Sequence, residues 1–174
     1  VVVPNDSLTE PERDVEYVGV EAGSGNRILE LSDPNLGNYS PTNILVEDSL
    51  RDIFTSLGSP DFDGRRDVIF DSEFSSSVVA ASSGEIENFK GDLRVKGKSE
   101  GVSMLLLPLE YSSCLEVDQL KGSKGFLELR RANGLLTALI FDREIDVVVK
   151  LRFGLFENPT CRLDDLREFR RLNG

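Results

Sequence analysis

A chain of 174 residues, 39% of them hydrophobic, can bury a real core and suits one globular domain with a short extension. Its 31 acids against 20 bases leave a net charge of −11, which excludes a nucleic-acid-binding surface and docking on anionic lipid through the surface as a whole. The absence of histidine removes His-based triads, His metal ligands and His pH switches, so catalysis would fall to carboxylate, lysine, tyrosine, serine or cysteine.

Residues 1–14 are rich in Pro, Asp, Glu, Ser and Thr without a period and read as a linker or frayed entry; residues 15–174 read as a single domain. "VEYVGVE" and "RILEL" are strand-like and flank Gly23-Ser24-Gly25-Asn26. That glycine pair lacks the third glycine and following helix of a phosphate loop, and reads as a hairpin turn. "DPNLGNYSP" (33–41) is a loop and "NILVE" (43–47) a strand. Leu50, Ile53, Phe54 and Leu57 then fall at helical spacing, with Ser49 or Asp48 to cap the start and Gly58 to close the end, predicting a short helix near 49–57 laid against a sheet.

"SPDFDG" (59–64) is a loop leading into "DVIFD". The spacing of Asp61, Asp63 and Asp67 is not that of an EF-hand, and Arg65 and Arg66 stand beside them. Side-chain hydrogen bonds and local ion pairs are the expected use of these acids. "SVVAAS", "GEIENF" and "DLRVKG" read as short strands. "VSMLLLPLEY" is apolar on both faces, predicting a central strand covered on both sides, with Pro108 at its end or at a bulge. "GFLELR", "LLTALIFD" and "IDVVVKLRF" follow; in the last, Ile145, Val147, Val149, Leu151 and Phe153 alternate as in a half-buried strand. The tail returns to a helical period near 162–172, with Leu163, Leu166, Phe169 and Leu172 close to one stripe, acids early and arginines late. Many short strands joined by turn residues predict an all-β, antiparallel sandwich of jelly-roll or carbohydrate-binding-module kind, carrying these two helices.

Chemistry-bearing clusters are sparse. Glu85, Glu87, Glu110 and Glu116 are the glutamates from which a glycosidase pair would be drawn, but any acidic β-sandwich carries such residues, and solvated strand faces are the better account of them. Ser112-Ser113-Cys114 lacks the glycines of a nucleophile elbow. Cys114 and Cys161 cannot close a four-ligand zinc site alone; they form one disulfide or remain two buried thiols. No catalytic residue, metal site or cofactor is assigned. The longest apolar run, Met104 to Leu109, is far short of the ~20 residues that span a bilayer. With Val1 first and Met104 its only methionine, the chain reads as a piece of a longer protein. In "LELRRANGLL", Asn133-Gly134 supplies a positive-φ turn, and its rim, with Tyr111, Arg131 and Asn133, is the polar cluster nominated for a ligand.

Three stretches in order carry a resemblance: "LGSPDFDGRRDVIFD" (57–71), "GEIENFKGDLRVKGKSEGVSMLLLPLEYSSCLEV" (84–117) and "LELRRANGLLTALIFDREIDVVVKLRF" (127–153). The set, about half of the chain, resembles the C-terminal extracytoplasmic β-sandwich of YfhO-like bacterial polytopic membrane proteins, which are similar to GT-C type glycosyltransferases using lipid-linked sugars. The chain departs from that pattern after the Pro-Tyr strand. Ser112 to Val117 stand where the family carries Pro-Gly-Trp, and the tryptophan has no counterpart. The resemblance implies a non-catalytic domain, periplasmic or extracellular, that covers the active-site mouth of its own membrane-embedded domain or positions a glycan or lipid-linked sugar. It also implies a Cys114–Cys161 disulfide tying the C-terminal helix to the sheet. A free-standing carbohydrate-binding module, a paired-carboxylate hydrolase and a purely structural assembly domain are the rival readings.

Overall fold

The computed structural model describes residues 39–120, 125–152 and 160–174 in full, and the backbone of three strands nearer the N-terminus. The chain divides into two compact units, Val1–Leu36 and Gly37–Gly174, where the sequence predicts a linker to residue 14 and one domain after it. In the first unit β1 (Val2–Val3) and β2 (Val15–Val20) both pair antiparallel with β3 (Arg27–Leu31), so part of the expected linker is strand. The turn expected at Gly23–Asn26 lies outside the described residues.

The second unit is mostly antiparallel strand with two short helices. It opens with β4 (Asn43–Val46), α1 (Leu50–Leu57) and β5 (Asp67–Phe70). Ser49 caps α1 by accepting from Asp52 N at 3.1 Å. Of the four apolar positions on this helix, Ile53 is fully buried and Phe54 is left half-exposed. Strands β4 and β5 pair in parallel, a local exception to the all-antiparallel expectation: a helix between two strands returns the chain to the same end.

The remaining strands are fewer and longer than predicted. "DLRVKG" and "VSMLLLPLEY" are one strand, β7 (Asp92–Glu110); "LLTALIFD" and "IDVVVKL" are one strand, β10 (Leu136–Leu151). The residues read as punctuation are irregularities within the ladder: Asp142 pairs with Val102 and Glu144 with Lys98, and Arg143 between them has φ +65°. A second irregularity lies between Leu136↔Glu110 and Thr137↔Leu107, and Pro108 stands in it, where no ladder donor is needed. β6 (Ser83–Phe89) pairs with the first half of β7 through a two-residue turn, Lys90-Gly91, both at positive φ. On the far side of β10, β9 (Leu127–Ala132) pairs with its first half and β8 (Leu115–Gln119) with its second. "SVVAAS" forms no strand. It runs past the irregular stretch of β7, where Val79 N donates to Val102 O and Ser82 N to Lys98 O, while Ala81 N bonds to Ser40 Oγ.

These pairings force the long strands to bend. Tyr111 N donates to Leu135 O, and Arg152 N donates to Cys114 O. The four residues 111–114 reach about 14 Å at most, whereas a straight 16-residue strand would carry its ends about 50 Å apart. The sheet is therefore coiled back on itself. Leu105, Leu107, Leu139 and Phe141 from one half share a core with Val95, Ile145, Val147 and Val149 from the other. Met104, Leu106, Ala138 and Ile140, on the opposite face of the first half, pack with Tyr39, Val68 and Phe70. The stretch read as covered on both sides is so: Met104 to Leu107 are all buried.

The halves meet closely at Gly97, where an added Cβ would lie 2.9 Å from Phe141 Cζ and 3.2 Å from Leu105 Cδ1. Gly97→Val should therefore cost about 1–3 kcal/mol by overpacking, read by urea denaturation. Gly101→Ala, whose Cβ would make only an ordinary contact with Val79, should be close to neutral. Equal effects would mean that the halves do not meet at Gly97.

At the start of β5, Asp67 is buried and fully bonded: it accepts from Arg66 Nε at 2.9 Å, Asn43 Nδ2 at 2.9 Å and Asp63 N at 2.9 Å. Asp63 Oδ1 in turn accepts from Arg65 N. These side-chain bonds and ion pairs are the use expected of the loop's acids. The Arg66 guanidinium first, then Asn43 and the Asp63 amide, hold the Asp67 carboxyl well below the usual carboxylate range. A depressed carboxyl contributes stability above its unfolded value and loses it as pH falls toward the folded one. Asp67→Asn should be less stable than the parent at neutral pH, and the gap between the two urea midpoints should narrow steadily as pH falls below about 4. A gap unchanged over that range would refute this assignment.

Candidate functional site

The nominated residues lie where the β9–β10 turn, the end of β7 and the C-terminal helix α2 (Cys161–Asn173) meet. The turn forms as its residues dictate: Asn133 has φ +52° and Gly134 φ +79°, and α1 packs over it, with Ile53 Cγ2 3.4 Å from where a Gly134 Cβ would stand. Arg131, one residue before β9 ends, turns its side chain toward α2. Its guanidinium carbon stands 4.8 Å above the centre of the Tyr111 ring, Nη2 donates to Glu168 Oε2 at 2.9 Å, and Nη1 donates to Gly134 O at 3.2 Å.

Tyr111 and Arg131 are thus brought together, and Asn133 is not. Asn133 N donates to Ile69 O at 2.8 Å while its Oδ1 accepts from Ile69 N at 2.9 Å. One residue therefore makes both bonds that a paired strand residue would make, fastening β5 to the β9–β10 turn. The neighbouring Arg130 points the other way. It stacks over Phe70 and Phe74, at 5.1 and 5.5 Å, and donates through Nη2 to Ser72 Oγ and Glu73 O.

The helix supplies what sequence alone does not place. Asp165 accepts from Ser112 Oγ and from Ser113 N, each at 2.6 Å, and Arg171 Nη2 donates to Asp71 Oδ2 at 2.7 Å. Cys114 and Cys161 form a disulfide with Cα atoms 5.0 Å apart. Burial pushes the Asp165 carboxyl up, but its bonds from Ser112 and Ser113 outweigh that and hold it below the ordinary range. Burial, then the Glu168 charge, raises the Tyr111 hydroxyl. Asp165 and Arg171 were visible in sequence only as charges suited to a helix dipole; no local signal names Ser112 or Asp71 as their partners.

The glutamates weighed as a hydrolytic pair serve elsewhere. Glu85 and Glu87 bond to Lys96 at 3.0 and 3.3 Å, and Glu116 lies 3.7 Å from Arg152, while Glu110 is exposed at the end of β7. Arg94 holds Asp146 with two bonds, at 2.8 and 2.9 Å, and Lys150 pairs with Asp118. These charges cross β6, β7, β10 and β8 and cover Val148, which is buried although the alternation predicted a wet face there.

The chemistry at the α2 seam is that of attachment: each carboxylate named there meets a cation, a hydroxyl or an amide, and one face of the Tyr111 ring is covered by a guanidinium. No protein-family model, no curated protein and no solved structure matches the chain.

Proposed function

We propose that residues 37–174 form a non-catalytic, extracytoplasmic β-sandwich domain of a membrane-embedded glycosyltransferase-like protein. Its role is to cover the active-site mouth or to hold a glycan or lipid-linked sugar near it. The observation that carries this reading is the Cys114–Cys161 disulfide, which pins α2 to the start of β8 and is the kind of bond that persists in an oxidising compartment. The coiled sheet, whose two halves share one core, supports the sandwich architecture. The bonded state of the α2 seam supports a scaffold rather than a reaction centre. The partner is then the protein's own membrane-embedded domain.

The test is the oxidation state in the cell. Acid quenching of source cells, alkylation, and mass spectrometry of the peptides holding Cys114 and Cys161 should recover them as a joined pair. Recovery of both as alkylated thiols would remove the extracytoplasmic assignment. A free-standing carbohydrate-binding module predicts sugar affinity in the isolated domain. Arg131 over the Tyr111 ring weighs against stacking there, and calorimetry against a glycan panel separates the two readings.

A further inference from the structure

The C-terminal helix turns two of its acids, Asp165 and Glu168, toward the sheet and leaves three of its apolar side chains outside. Cys161, Asp165, Glu168 and Leu172 face the sheet, through the disulfide, the Ser112–Ser113 bonds, Arg131 and apolar burial. The remaining apolar positions are not buried: Leu163 is 54% exposed, Leu166 44% and Phe169 56%. Arg167 and Arg170 share this outer surface. At 100° per residue Arg170 falls between Leu163 and Leu166, while the first-turn acid, Asp164, lies to one side and pairs with Arg167 at 2.9 Å. Phe54 of α1, which packs near α2, is also half-exposed.

We propose that this face of α2 docks on an anionic phospholipid surface, with Leu163, Leu166 and Phe169 dipping below the headgroups and Arg167 and Arg170 held among them. The inference rests on the helix face and not on the glycosyltransferase reading. Charge selects the occupant. In a chain of net charge −11, the outward face of α2 presents arginine and apolar side chains. A second copy seated on the same face would set arginines among arginines, whereas phosphate headgroups neutralise them. The interleaving selects a headgroup layer over a protein groove: a groove takes an unbroken apolar stripe, whereas at a bilayer boundary an arginine among leucines buries its stem and keeps its guanidinium at headgroup depth. The acidic remainder of the surface is repelled by such a membrane, so binding fixes the orientation of the domain.

The experiment is vesicle co-sedimentation of the full 174-residue chain. Phosphatidylcholine vesicles with phosphatidylglycerol are compared with phosphatidylcholine alone, at low and high salt. The chain should bind the anionic vesicles, release in salt and ignore the neutral ones. Arg170→Gln should weaken binding about fivefold, the value of one basic side chain near an anionic surface. Phe169→Ser should weaken it further, with melting temperature unchanged for both because both side chains are exposed. If Phe169→Ser perturbs folding, Arg170→Gln carries the test alone. No binding to anionic vesicles, or binding that Arg170→Gln leaves intact, overturns the proposal. Sedimentation equilibrium showing a dimer that Leu166→Ser dissolves would also overturn it, assigning the face to a second copy.

Discussion

Replacing Cys114 and Cys161 together by serine lowers the folding free energy by on the order of 4 kcal/mol, the entropy of closing a loop of 47 residues' separation in the unfolded chain. The bond closes the span that holds β8, β9 and β10, and it joins the residue just before β8 to the first residue of α2. Without it the helix is held by Asp165, Glu168, Arg171 and the burial of Leu172, contacts made one at a time at the surface of the sheet. Thermal unfolding should drop by roughly 10–20 °C, and reductant should produce the same shift in the parent chain and none in the double variant. A parent chain whose denaturation midpoint ignores reductant would show that the bond adds nothing to the fold.

The second large effect is an asymmetry at Arg131. Its side chain is 11% exposed and that of its partner Glu168 23%, so removing the carboxylate leaves a guanidinium that water reaches poorly. Glu168→Gln should cost about 3 kcal/mol, near the lower edge for breaking a buried pair because Glu168 keeps some solvent contact. Arg131 Nε is buried without a hydrogen-bond partner among the described residues, so the pair is imperfectly satisfied even when intact. The double replacement Arg131→Met with Glu168→Leu should therefore recover most of the loss. Chemical denaturation of the two single variants and the double one closes the cycle. A double variant as unstable as the sum of the singles would mean that Arg131 and Glu168 act independently.

Much of the local structure could be read from sequence because its causes are local. The Ser49 cap, the Leu50/Ile53/Phe54/Leu57 period and Gly58 bounded α1; Asn133-Gly134 made a positive-φ turn; Pro108 fell in an irregular stretch of ladder; the run from Met104 to Leu107 was buried on both faces. What failed depends on distant partners. Gly101 and Arg143 look like loop punctuation, yet both positions are absorbed into strands because the neighbouring ladders on either side continue the same pairing. The parallel partnership of β4 with β5 is a consequence of where the chain returns after α1, which no pattern within either strand encodes.

The helical period near 162–172 marked a helix, and α2 is one, but the period did not say which side meets the sheet: Leu172 is buried while Leu163, Leu166 and Phe169 are not. Here Asp165 and Glu168 have better partners inside, in the Ser112–Ser113 turn and Arg131, than leucine would have. The candidate site was half legible. Tyr111 and Arg131 do meet, because the end of β7 is bonded to the β9–β10 turn; Asn133 is drawn off by the Ile69 backbone, a bond between residues 64 apart in sequence.

The most direct test of the central claim is made on the native protein. An antibody raised to residues 37–174 is used on fractionated cells of the source organism, and the apparent mass and compartment of its band are read. An extracytoplasmic domain of a membrane-embedded protein predicts a band several-fold heavier than the 19.3 kDa of this chain, in the membrane fraction and released only by detergent. A soluble band near 19.3 kDa would contradict it and would leave a free-standing module in its place.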